Sequence, residues 1–211
     1  MDVTLKSLVV LFTAAGTALE AALAVAQTST VQPDAAVALN NPIESLPPIA
    51  RAVVDGNMPA IIALLEKQPE TVNEKVPAKK GERAGYTPLI LAAALSHPEI
   101  AKYLIMHRAD LTELDDFNRS AIWYAAFNGD IEVTQVLIST YEKSTVNKVI
   151  NVADVDFVRT PLQLAVRRNE PEVVHDLLVA GASEESKDAS GETPVDFCKR
   201  NHTSACKELL K

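Results

Sequence analysis

Aromatic side chains are scarce in this chain, at 5% of 211 residues, while alanine and leucine are frequent. That balance favours closely packed helices over a sandwich of strands. There is no Gly-rich phosphate loop, no Gly-x-Ser-x-Gly, no His-Glu-x-x-His and no paired Cys-x-x-Cys. The chain therefore carries none of the motifs that signal nucleotide cradling, serine hydrolysis or zinc chemistry. Positive charge is short as well. The formal net charge is −8, so the chain as a whole is not drawn to nucleic acid or to anionic lipid. The four histidines, at 97, 107, 175 and 202, fall in different segments and do not read as a metal-ligand set. The carboxylates are numerous but read as solvated surface, and no catalytic set emerges.

Apolar residues are plentiful, at 47%, enough to bury a core along most of the chain. The first 26 residues differ from the rest. An apolar stretch follows Lys6 and ends in Ala24-Val25-Ala26, the layout of a secretory signal peptide cleaved before Gln27. A retained membrane anchor and a helix of a cytosolic protein are the other readings of residues 1–26. Residues 27–45 lack periodicity and read as a flexible lead-in.

From there the chain repeats itself. "GYTPLILAA" at residue 85 is echoed by "RSAIWYAA" from Arg119, "RTPLQLAV" from Arg159 and "ETPVDFCK" from Glu192. Thr87, Ser120, Thr160 and Thr193 lie 33, 40 and 33 residues apart, a period that signals a solenoid. Each Thr or Ser suits a helix N-cap, and the proline after three of them suits the first helical position. Small residues follow, at Ala92-Ala93, Ala125-Ala126 and Ala165. Next comes a turn ("SHP", "NGD", "NEP") and then a second apolar helix, "EIAKYLI", "EVTQVLI" or "EVVHDLL". A more worn unit around Ala52 and Leu64-Leu65 precedes these four.

The pattern resembles the ankyrin repeat over about residues 46–211. It predicts an all-α solenoid of about five helix-turn-helix units, near 46–76, 85–116, 118–150, 158–187 and 191–211, joined by short hairpin-like connectors. Two stretches exceed the repeat, 74–84 and 141–149, and both read as loop insertions. The histidine that usually follows Thr-Pro-Leu is replaced by Ile90, Trp123, Gln163 and Asp196, so its hydrogen bonds are not carried over. Cys198 and Cys206 occupy inward positions on the two helices of the last unit. They read either as a disulfide pinning that unit or as two small buried apolar residues.

The resemblance implies a protein-binding scaffold using turn tips and the exposed face of the first helices. Carried over unit by unit, that surface holds Val54 in the first unit, and Arg83, Tyr86 and Leu95 in the second. The third unit supplies Phe117, Arg119 and Phe127, the fourth Phe157, Arg159, Arg167 and Arg168, and the fifth Lys199 and Arg200. The expectation is an exported, monomeric, non-enzymatic scaffold without cofactor, periplasmic or secreted, binding a protein rather than nucleic acid or membrane. Bacterial exported ankyrin proteins suggest two alternatives. One is a periplasmic accessory to haem, catalase and oxidative-stress defence, with Tyr124, His97 or His107 as axial ligand. The other is a secreted effector that binds host proteins.

Overall fold

The four Thr or Ser residues do cap helices. In a computed structural model, Thr87, Ser120, Thr160 and Thr193 each accept a bond from the amide three residues on. At Thr160 and Thr193 the side chains of Gln163 and Asp196 reach back to the cap amide, closing a capping box. The structure describes residues 46–77, 85–207 and 209–210, all within the unit Pro42–Lys211. The export segment 1–26, the lead-in 27–45 and Arg83 lie outside the described residues.

Among the described residues there are ten α-helices and no strand. They are α1 (Pro48–Val54), α2 (Met58–Lys67), α3 (Pro88–Ala94), α4 (Pro98–Met106), α5 (Ala121–Asn128) and α6 (Ile131–Thr140), then α7 (Lys143–Val149), α8 (Pro161–Arg168), α9 (Pro171–Ala180) and α10 (Pro194–Asn201). The first helices pack in sequence as α1, α3, α5, α8 and α10, and α4, α6 and α9 form a parallel second row. Ala92, Ala93, Ala125, Ala126 and Ala165 are fully buried between the first helices, where a larger side chain would hold neighbours apart. In the second row Leu104, Leu137 and Leu177 occupy one repeat position and are fully buried. Each contributes roughly 2–3 kcal/mol of burial.

Two left-handed positions punctuate every full unit. The residue two before the cap is Gly85, Asn118, Val158 or Gly191, and the residue nine after it is Ser96, Gly129, Asn169 or His202; all have positive φ. Three of the four residues in the first series are types that visit this region readily. Val158, at φ 55°, is β-branched and strained there.

Side-chain bonds join the units. Asn73 donates to the Arg108 carbonyl and accepts from the Asp110 amide, and Asn151 does the same with Gly181 and Ser183. Asn128 donates back to Ala93 and Ala94. The Tyr141 hydroxyl donates to the Ala109 carbonyl. Two residues at the substituted histidine position also bridge units. The Trp123 indole donates to the Arg159 carbonyl, and Gln163 donates to the carbonyls of Ser186 and Glu192.

Two details differ from the sequence expectation. The segment 141–149, read as a loop, contains helix α7, because Val146 and Val149 lie one turn apart and are both buried. The last unit ends in a 3-10 helix, Ser204–Lys207, instead of a second α-helix. Asn169 holds its start by accepting from the Ser204 hydroxyl and the Ala205 amide. Cys206, on that 3-10 helix, is bonded to Cys198 of α10, with Cα atoms 5.2 Å apart. The insertion at 74–84 leaves and rejoins the stack through a backbone pair. The Val76 amide donates to Tyr86 and the Gly85 amide donates to Val76.

Candidate protein-binding surface

Each of the last three inter-unit turns is organised by one aspartate, five or six residues before the cap. Asp115 accepts from the amides of Phe117 and Arg119, both at 2.9 Å. Asp154 accepts from the amides of Asp156, Phe157 and Arg159. Asp188 accepts from the amide and hydroxyl of Ser190 and from the Glu192 amide. Consecutive turns are tied by their backbones. Val155 donates to the Phe117 carbonyl at 3.1 Å and Ala189 to the Phe157 carbonyl at 2.9 Å.

The environments of these aspartates differ. Burial pushes the Asp115 carboxyl above its ordinary value, against the pull of the Arg119 and Phe117 amides and the Tyr124 hydroxyl. Burial also acts upward on Asp188, but the bonds from Ser190 and Glu192 and the Arg167 charge outweigh it and hold that carboxyl below the usual range.

Guanidinium groups stack on aromatic rings along this side of the chain. Arg119 lies over Phe117 at 4.5 Å and over Trp123 at 4.6 Å, and Trp123 stacks flat against Phe127 at 5.4 Å. Arg168 covers Phe127 at 5.1 Å, and Arg159 covers Phe157 at 4.7 Å. Arg167 and Arg200 share Phe197. Such pairs contribute about 0.5–2 kcal/mol each, more where water is excluded.

The surface expected from sequence divides when its residues are placed. Val54, Tyr86, Arg119 and Phe127 are buried, Tyr86 and Arg119 at 0% and 3% exposure. They are corrected from contact residues to packing residues: the turn positions hold, but these side chains point into the stack. Arg119 is paired with Asp156 at 2.9 Å. Leu95, Phe117, Arg159 and Arg167 are half-buried, and Arg168, Lys199 and Arg200 are exposed. Arg167 is committed to Asp188 at 2.6 Å and Glu192 at 2.7 Å, and Arg200 to Glu192 at 2.9 Å. Leu95 caps the C-terminus of α3, two units away from the Arg167–Arg200 cluster.

Chemistry of other kinds finds little support. Tyr124 is buried, and its hydroxyl donates to Asp115 at 2.8 Å. Burial foremost, then the Asp115 charge, pushes its ionisation well above the ordinary value, so it is not poised as a metal ligand. His107 is hydrogen-bonded to the Tyr103 carbonyl and stacked on the Tyr103 ring, while His97 sits beside Gly56. Among the described residues no group of three or more His, Cys, Asp or Glu could hold a metal ion. No helix among them is long and apolar enough to cross a membrane.

Five stacked helical units, four of them with a capped first helix and three entered through an aspartate-built turn, define an α-solenoid. The family described as "Ankyrin repeats (3 copies)" matches residues 18–115, 49–149 and 122–211. The chain belongs to the ankyrin-repeat family, whose repeats are protein-binding scaffolds in general. It is 29% identical to the tyrosine-protein kinase Shark of Drosophila melanogaster over 126 residues, covering 60% of this chain and 13% of the kinase. It is 31% identical to the "Putative E3 ubiquitin-protein ligase XBAT31" of Arabidopsis thaliana over 140 residues, 62% of this chain and 28% of that protein. The chain thus spans less than a third of either relative.

Aspartate-built turns and asparagine clamps escaped the sequence reading. The aspartates left a signal, since Asp115, Asp154 and Asp188 recur at nearly constant distance before the cap. Asn73 and Asn151 left none: Asn73 stands in the polar stretch around Val72, and Asn151 directly after Val149-Ile150.

Proposed function

We propose that this chain is an exported, non-enzymatic scaffold that captures a protein partner on the turns and first helices of its last three units. The observation that carries the reading is the set of arginine–aromatic stacks that reach the surface, Arg159 on Phe157 and Arg167 and Arg200 on Phe197, since these residue types dominate the energetics of interfaces. The turns beside them are braced by aspartates and tied to one another, so little ordering is needed on binding. The partner is a protein, the scaffold is monomeric, and no cofactor, nucleic acid or membrane is involved.

Export to a periplasm or the exterior is supported by the apolar segment ending at Ala26. It is also supported by the pairing of both cysteines, Cys198 and Cys206, with none left free, which suits an oxidising compartment.

In-cell cross-linking followed by mass spectrometry tests both parts. The expected result is a chain beginning at Gln27, with thiols that alkylate only after reduction, cross-linked to one protein of the same compartment. A full-length chain with both thiols reactive in the cytosol would end the export reading. A chain cross-linked to no protein would end the scaffold reading. Recovery outside the producing cell on a host protein would make it a secreted effector.

A further inference from the structure

The unit-four turn departs from its neighbours in three ways that concern its surface. Among the described residues six large apolar side chains are exposed, and three of them, Val155, Phe157 and Val158, lie on this turn. Val158 also holds the left-handed backbone position with a β-branched side chain, a local strain of the kind that gathers at functional sites. Finally, Arg159 forms no ion pair among the described residues, although it follows those residues directly and covers Phe157.

The surrounding charges explain why Arg159 stays unmatched. Asp154 spends its oxygens on the amides of residues 156, 157 and 159. Asp188 and Glu192 are taken by Arg167. Partial burial, and then the facing Arg167 charge, weaken the hold of Arg159 on its proton, with Asp188, Asp154 and Glu192 opposing. A carboxylate from outside would supply the missing counter-charge.

The geometry points to residues 155–159 as the docking point for an acidic–apolar segment of the protein partner, a carboxylate engaging Arg159 and an adjacent apolar side chain covering Val155 and Phe157. The inference rests on the scaffold reading above and names the chemistry of what the scaffold takes. Complementarity of charge carries it: the turn offers a half-buried guanidinium without a counter-ion among the described residues beside bare apolar surface, on a chain whose net −8 otherwise repels acidic partners.

The test is selection of peptides from a random displayed library on the full chain, followed by titration of the synthetic winners. Winners are expected to carry Asp or Glu within a few residues of an aromatic or branched apolar residue, and to bind more weakly as salt rises. Arg159→Gln and Phe157→Ser should each weaken them by about tenfold or more, with Lys102→Gln, exposed on α4 of the second row, nearly neutral. Both turn variants alter exposed or half-exposed groups and should melt close to the wild type. Arg159→Gln stands alone if Phe157→Ser fails to fold.

Winners without acidic residues, winners that bind both variants as tightly as the wild type, or no winners at all would overturn the inference. So would a chain that dimerises in sedimentation and becomes monomeric with Phe157→Ser, because the occupant would then be a second copy. If any of these occurs while a cross-linked partner is still recovered, the scaffold reading stands and only this docking point falls.

Discussion

The turns of units three and four share a plan yet face opposite ways chemically. In unit three, Arg119 is buried, stacked between Phe117 and Trp123 and paired with Asp156; Asn118 takes the left-handed position and donates to the Ala153 carbonyl. In unit four the equivalent pair is Val158 and Arg159, the one exposed and strained, the other without an ion pair among the described residues. One turn spends its polar groups inside the stack, while the next leaves them facing outward. A repeat array can afford this because each unit needs only its neighbours for stability. A turn with neighbours on both sides can carry a cost that an isolated hairpin could not.

The sharpest way to break the contrast is to remove both arginines in turn. Arg119→Ala should cost about 2–4 kcal/mol, because a buried stack and an ion pair are lost together. Arg159→Ala should cost less than about 1 kcal/mol. Urea unfolding of the two variants measures the difference, and equal losses would mean that the turns are energetically alike.

A smaller effect separates the turn aspartates. The Asp188 carboxyl is held below its ordinary value. Its contribution is therefore complete above the unfolded value of about 4 and disappears as pH falls through the folded one. Asp188→Asn should lose about 2 kcal/mol near neutrality, and the gap to the wild type should close on acidification. Asp115 lies above its ordinary value, so ionised it opposes folding, and acidification relieves that. The gap between wild type and Asp115→Asn should widen in favour of the wild type over the same fall in pH. Thermal melts from pH 7 to pH 3 follow both trends, and parallel curves would refute the assignment.

The smallest effect has the opposite sign. Val158→Gly should stabilise by about 1 kcal/mol, since glycine takes a positive φ without the steric penalty. In a chain of this size that is about 2–4 °C in Tm. A lower Tm would show that the valine side chain contributes more by packing than it loses to backbone strain.

The repeat plan was readable because its signals are redundant. A capping Thr or Ser, a proline and paired alanines recur at each unit and place the first helices almost to the residue. The side chains that carry the surface were less readable. Tyr86, Arg119, Arg159 and Glu192 occupy one position in four consecutive units, yet they range from fully enclosed to half-exposed. Direction there depends on what the neighbouring unit presents: Asp156 draws Arg119 inward, whereas Arg159 finds every nearby carboxylate occupied. The fit of Val158 was hidden because sequence gives no sign that a valine stands where its counterparts are Gly85, Asn118 and Gly191. Helix α7 was concealed for a related reason. Its two buried valines make too short a stripe to set it apart from a polar loop.

The backbone pair between Val76 and Tyr86 uncouples the length of the intervening segment from the spacing of the repeats. Both ends are held by the stack, and lengthening a closed loop costs only about 0.6 kcal/mol per doubling. Residues 77–84 are therefore a natural graft site, where a fluorescent reporter, a protease site or a second binding peptide could be spliced in while the repeats keep their register. What is an irregularity in the repeat period is, for an engineer, an attachment point.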